Sequence, residues 1–160
     1  MNTRRLLTLG VLVSLIGCGG ERAQPINDLN ALLRQSTSSR REPALGVRWL
    51  ASLSRRQGRE RVELIDLNAG RPVPLPGLNR NDAQPISVAV SADGRRLAVV
   101  RQRGGRTELV LYRRTTESVQ PLPLDPPGVP RAVSLDAEGR QLAVQVSRNG
   151  RWEVDLIRLP

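Results

Sequence analysis

The sequence predicts an all-β fold built from three copies of one hairpin-bearing repeat, preceded by an export leader and a flexible tether. Three observations carry that reading. A short motif returns along the chain: Leu97-Ala98-Val99 recurs as Leu142-Ala143-Val144, 45 positions on, and Leu50-Ala51 precedes Leu97-Ala98 by 47. The same offset of 45 carries Gly94-Arg95 onto Gly139-Arg140. Each copy also contains a turn flanked by arginine, as Arg56-Gln57-Gly58-Arg59, Arg103-Gly104-Gly105-Arg106 and Arg148-Asn149-Gly150-Arg151. Asn-Gly and Gly-Gly between apolar runs suit the two-residue hairpin turn, whose central positions both need positive φ.

The leader comes first in chain order. Arg4 and Arg5 give a positive start, and Leu6 to Ile16 form an apolar run broken only by Thr8, Gly10 and Ser14, the layout of an export signal. Its 11 residues are too few to cross a bilayer, which takes about 20. Residues 1–17 are therefore expected to be a signal peptide. The run ends in Leu15-Ile16-Gly17-Cys18, which resembles the lipobox of bacterial lipoproteins. That resemblance implies cleavage before Cys18 and a diacylglyceryl group on its thiol. Cys18 is the only cysteine, so a disulfide within one chain is excluded. An ordinary signal peptide that happens to contain a cysteine is the alternative. Gly19, where a retention signal would have Asp, implies by the same resemblance an outer-membrane anchor facing the periplasm.

Residues 18–43 read as the lipidated cysteine and a tether, with Gly19-Gly20 at one end and Ser36-Thr37-Ser38-Ser39 near the other. Within it Ile26, Leu29, Leu32 and Leu33 recur at helical spacing behind Asn27 and Asp28, so a short helix is expected there. Two turns of helix are unstable alone and would need to dock on the domain. The domain occupies residues 44–160, with units at about 44–78, 84–124 and 130–160. Its core must be aliphatic, because Phe is absent and Trp49, Tyr112 and Trp152 are the only aromatic residues.

A period near 45 with several short strands per unit is the signature of propeller blades. Ser91-Ala92-Asp93-Gly94-Arg95-Arg96-Leu97-Ala98-Val99, followed by a glycine turn and Glu108-Leu109-Val110-Leu111-Tyr112, resembles the TolB-like (WD-repeat-like) β-propeller repeat. Ala92 stands where that family usually has Pro, and Val99 where it usually has an aromatic residue. The third copy keeps Asp136-Ala137-Glu138-Gly139, while the first has Gly46-Val47-Arg48 instead of the acidic-glycine turn. The resemblance implies a partial or open propeller of three TolB-like blades that serves as an interaction platform in the envelope. The chain has no counterpart of TolB's separate α/β domain, so membership of the Tol-Pal system is not implied.

The hairpin turns fix the register and with it the faces. In the middle copy Val100 with Leu109 and Ala98 with Leu111 share one face, and Val99 with Val110 and Leu97 with Tyr112 the other. Both are apolar, as a blade covered on both sides requires. On the second face the first copy has Ser52 opposite Glu63, and the third has Val144 opposite Asp155. These pairs are expected at the open ends of a three-unit stack, water-facing and monomeric. Closure into a six-bladed ring by two chains is the competing picture, since propellers have four to eight blades. Residues 118–124 supply an outer strand for the second unit, and nothing follows the third hairpin to do the same.

Function is narrowed by what is missing. Without His, Ser-His-Asp and Cys-His catalysis and His-metal sites are excluded. Asp93 and Glu138 fall in turns, and Glu108 lies opposite Arg101, so turn formation and cross-strand pairing account for them. Asp93-Gly94 is too sparse for a calcium loop. No enzyme, cofactor or metal is expected. All 25 basic residues are Arg; losing residues 1–17 leaves 23 against 15 acidic residues, a balance of +8. Export argues against nucleic acid as the partner, as does the lack of a stacking platform. Envelope proteins or anionic lipid remain. Arg56, Arg59, Arg103, Arg106, Arg148 and Arg151 form a candidate rim, suited to carboxylates or phosphates or merely solvated. Trp152 is either an apolar anchor beside it or a cover for the end. The leading expectation is a non-enzymatic envelope lipoprotein whose repeats present a surface to another protein. The alternative is an Arg rim for anionic lipid or glycan.

Overall fold

A computed structural model of the chain describes residues 23–36 and 38–160. The signal peptide, Cys18 and the start of the tether lie outside the described residues. One helix, α1 (Asn27–Gln35), precedes three antiparallel sheets. Blade one contains β1 (Ser39–Leu45), β2 (Trp49–Arg56), β3 (Arg59–Asp66) and β4 (Arg71–Val73). Blade two contains β5 (Ala83–Val90), β6 (Arg96–Arg103), β7 (Arg106–Arg113) and β8 (Ser118–Pro121). Blade three contains β9 (Val129–Leu135), β10 (Gln141–Arg148) and β11 (Arg151–Arg158). In every sheet each strand lies beside its predecessor, and β5 packs against β1 on one side and β9 on the other.

The central hairpin of each blade closes as expected, with Arg56 opposite Arg59, Arg103 opposite Arg106 and Arg148 opposite Arg151. Both residues of every turn have positive φ: Gln57 and Gly58 at 50° and 76°, Gly104 and Gly105 at 55° and 74°, Asn149 and Gly150 at 49° and 76°. This is the backbone of the turn whose twist matches that of the flanking strands. Once the turn is set, period-2 alternation divides the side chains. Leu97, Val99, Val110 and Tyr112 face blade one, where they meet Ala51, Leu53, Val62 and Leu64. Ala98, Val100, Leu109 and Leu111 face blade three and meet Leu142, Val144 and Val146. The two cores are therefore the two inter-blade seams.

Backbone hydrogen bonds join the blades at the same period. The Val47 N–H donates to the Ala92 carbonyl at 3.2 Å, and the Ala92 N–H to the Ala137 carbonyl at 2.8 Å. The acidic-glycine turn sits on this seam. Gly94 has φ of 69°, and a Cβ there would lie 2.5 Å from Cδ1 of Trp49. Trp49 is thus an inter-blade pin, with the Arg114 guanidinium 4.1 Å from its ring centroid. Blade one has no acidic residue at the corresponding turn, and its Gly46 approaches blade two so closely that a Cβ there would lie 2.8 Å from the Ser91 carbonyl oxygen.

Three expectations change. β1 begins at Ser39, inside the stretch read as tether, although its residues are polar and include Pro43. It is held by pairing with β2 and by ion pairs from Arg40 to Glu63 at 2.9 Å and from Arg41 to Glu60 at 2.6 Å. The Val144–Asp155 pair is not at an open end. Val144 lies one period after Val99, so it faces the preceding blade, fully buried, and Asp155 shares that face with Ile157. The outward face of blade three instead carries Trp152, Val154 and Leu156, which are 61%, 67% and 81% exposed. The outward face of blade one does carry Ser52 and Glu63, but the pair does not face water as expected: Ser52 is only 2% exposed and the Glu63 side chain 11%. Helix α1 lies against this blade, where Arg40 Nη1 donates to the Leu33 carbonyl at 2.8 Å and Leu32 adjoins Gly70.

Candidate functional site

The acidic residues of the repeats serve the fold. Asp93 accepts from Ser91 Oγ at 2.7 Å and from the Arg95 N–H at 2.9 Å. In blade three Asp136 takes the place of Ser91 and accepts from the N–H groups of Arg140 and Gln141 at 2.6 and 2.9 Å. Glu138 is exposed in the same turn. Glu108 accepts from the buried Arg101 at 2.7 Å, directly across the strand pair. No cluster of three or more His, Cys, Asp or Glu side chains able to hold a metal occurs among the described residues.

The six arginines beside the hairpin turns have different fates. Arg148 is only 9% exposed in its side chain and turns into the fold. It donates to Asp155 at 2.5 and 2.9 Å, to Glu153 at 3.0 Å and to the Pro126 carbonyl at 2.8 Å. Those bonds hold the Asp155 carboxyl below the usual aspartate range. Arg148 thus leaves the rim, because Glu153 and Asp155 fall on its own face of the hairpin. Arg56 bonds Ser38 Oγ at 3.3 Å and approaches Glu63 at 3.7 Å. Arg106 and Arg151 are exposed and make no ion pair among the described residues.

Arg59 and Arg103 do come together. They line an open cleft of about 600 Å³ between the hairpin tips of blades one and two. Arg55, Arg61 and Arg80 join them there, with Glu60, Asp82, Gln84 and Gln102. Asp82 accepts from Arg80 at 2.9 Å and Arg103 at 3.0 Å, and these bonds hold its carboxyl far below the usual range. Glu60 is taken by Arg41 from outside the cleft, at 2.7 and 2.6 Å. Arg59 donates to Asn81 at 2.8 Å. Turn spacing alone points to Arg59 and Arg103; Arg80 and Asp82 enter through the inter-blade connection, which the repeat pattern does not reach. The third hairpin tip is not part of this cleft.

The chain is similar to TolB from Acinetobacter baumannii, with a TM-score of 0.57 and 17% identity. The three sheets are TolB-like propeller blades, left unclosed. The match covers 73% of this chain and 29% of the TolB chain, so the chain spans less than a third of that relative's length. The β-propeller domain of Myceliophteria thermophila Cps50 (Swd1) aligns at a TM-score of 0.40 and 16% identity, over 78% of this chain and 41% of that one. A prolyl endopeptidase aligns at 0.41 and 12%, over 84% and 32%. No protein-family profile matches the chain, and no curated protein matches it in sequence.

Proposed function

We propose that this chain is a non-enzymatic, lipid-anchored protein of the bacterial cell envelope, facing the periplasm, whose TolB-like blades present a surface to another protein. The observation that carries the reading is the row Trp152, Val154 and Leu156 on the outward face of blade three, each more than half exposed. A contiguous apolar row on a sheet face is the kind of surface that marks a protein interface, and Trp is enriched among residues that dominate binding. The leader with its Arg4, Arg5 and Cys18 supports the envelope setting and the anchor, with the outer membrane favoured by Gly19. A blade platform that does no chemistry fits a repeat set whose carboxylates are engaged in turns and ion pairs.

Photocrosslinking in intact cells tests this. A photoreactive residue at position 154 should give one discrete protein adduct, lost when Leu156→Asp is added, while the same probe at exposed Ala69 gives none. Equal adducts from both positions, or none from either, would overturn the reading. Mass analysis covers the anchor: the mature chain should begin at an acylated Cys18, and Cys18→Ser should abolish both acylation and processing.

A further inference from the structure

We propose that the cleft between the first and second hairpin tips is a binding site for a small phosphate-bearing ligand. Five arginines and two acidic residues line it, an excess of three positive charges. The carboxylates are already occupied, Asp82 by Arg80 and Arg103 and Glu60 by Arg41. Those pairs hold the surrounding side chains in place. Arg55 and Arg61, by contrast, make no ion pair among the described residues. Two lining arginines without an ion pair therefore stand beside three whose side chains are held by Asp82 and Asn81, an arrangement suited to an incoming anion.

Charge decides between anion classes. A carboxylate brings one negative charge, whereas a phosphate monoester brings about 1.5 to 2, so one or two phosphates match the excess. No aromatic or large apolar side chain lines the cleft, so it offers neither an aromatic stacking platform nor an apolar anchor. Its volume of about 600 Å³ fits a small polar molecule or one headgroup. Entry is open at both tips, since a Cβ on Gly58 or Gly104 would meet nothing within 4 Å. The phosphate group is common to two sources, a free phosphorylated compound and a lipid headgroup. The site stands apart from the apolar face of blade three, so either holds if the other fails.

Titration of the full chain with inorganic pyrophosphate, and co-sedimentation with phosphatidylcholine vesicles with and without phosphatidylglycerol, test the site and separate the sources. Saturable binding in at least one arm is expected. Binding of pyrophosphate alone identifies a free phosphorylated ligand, and binding of the anionic vesicles alone a headgroup. The double variant Arg55→Gln/Arg61→Gln should weaken binding by about ten- to a hundredfold, the loss of two charge-assisted contacts. The equally charged control Arg106→Gln/Arg151→Gln should bind like the parent. If the cleft variant melts early, Gln102→Glu replaces it, adding a carboxylate to the wall while leaving every ion pair in place, and it should weaken binding likewise. Equal losses in the cleft variant and the control would reduce the effect to diffuse charge and overturn the proposal. So would citrate binding as tightly as pyrophosphate, or no saturable binding in either arm.

Discussion

Glycine positions with nearly the same φ do different work in this fold, and their surroundings tell them apart. Gly94 and Gly105 have φ of 69° and 74°. A Cβ at Gly105 meets nothing within 4 Å, so a substitution there carries only backbone strain, about 1 to 3 kcal/mol for a branched residue. A Cβ at Gly94 meets the Trp49 ring at 2.5 Å, which adds a clash at the seam between blades one and two. Gly94→Ala should therefore lower the melting temperature more than Gly105→Ala, and Trp49→Ala in the same chain should recover part of the Gly94→Ala excess. Equal melting temperatures for the two alanine variants would sink the seam assignment. The sequence shows that both positions are glycine in a turn. It does not show the tryptophan of the neighbouring blade, because that contact is made between blades.

At the scale of the strand pair, legibility followed the turns. A two-residue hairpin anchors every residue of its two strands, so the pairings from Leu97–Tyr112 to Arg103–Arg106 are legible in the sequence. β1 was not, since it joins its blade through pairing with β2 and arginine-carboxylate contacts, and a polar strand has no apolar period to betray it. The β10–β11 pair shows a subtler failure. Arg148 sits beside the turn like its equivalents Arg56 and Arg103, yet acidic residues on its own face draw it inward. The Asp155 carboxyl is held low by hydrogen bonds from Arg148, so this stabilisation is present above the ordinary aspartate value of 3.8 and is lost as the pH falls through the lower, folded value. Asp155→Asn should melt below the parent at pH 7, and the gap should narrow as the pH drops under 3.8. A gap of constant size from pH 7 to pH 2.5 would show that the charge on Asp155 is not what the hairpin uses.

For the molecule as a whole the open question is closure, and the two outward faces answer it through their mismatch. Inside the chain, each seam is built from apolar rows on both sides. A ring of two chains would instead set Trp152, Val154 and Leu156 of one copy against Ser52, Glu63 and α1 of the other. The register made that polar end of blade one readable from the sequence. At the opposite end one period from Val99 turns Val144 and Asp155 inward, which leaves that end apolar and the end at blade one polar. Glu63 needs no basic group from a second copy, because Arg40 donates to it at 2.9 Å and Arg56 lies 3.7 Å away. The lipid-free chain, begun at Gly19, should therefore sediment as a monomer at micromolar concentration, and Glu63→Arg should leave its sedimentation unchanged. A tight dimer that Glu63→Arg dissociates would mean that α1 leaves blade one to admit a neighbouring blade, and would make the six-bladed pair the better description of the working molecule.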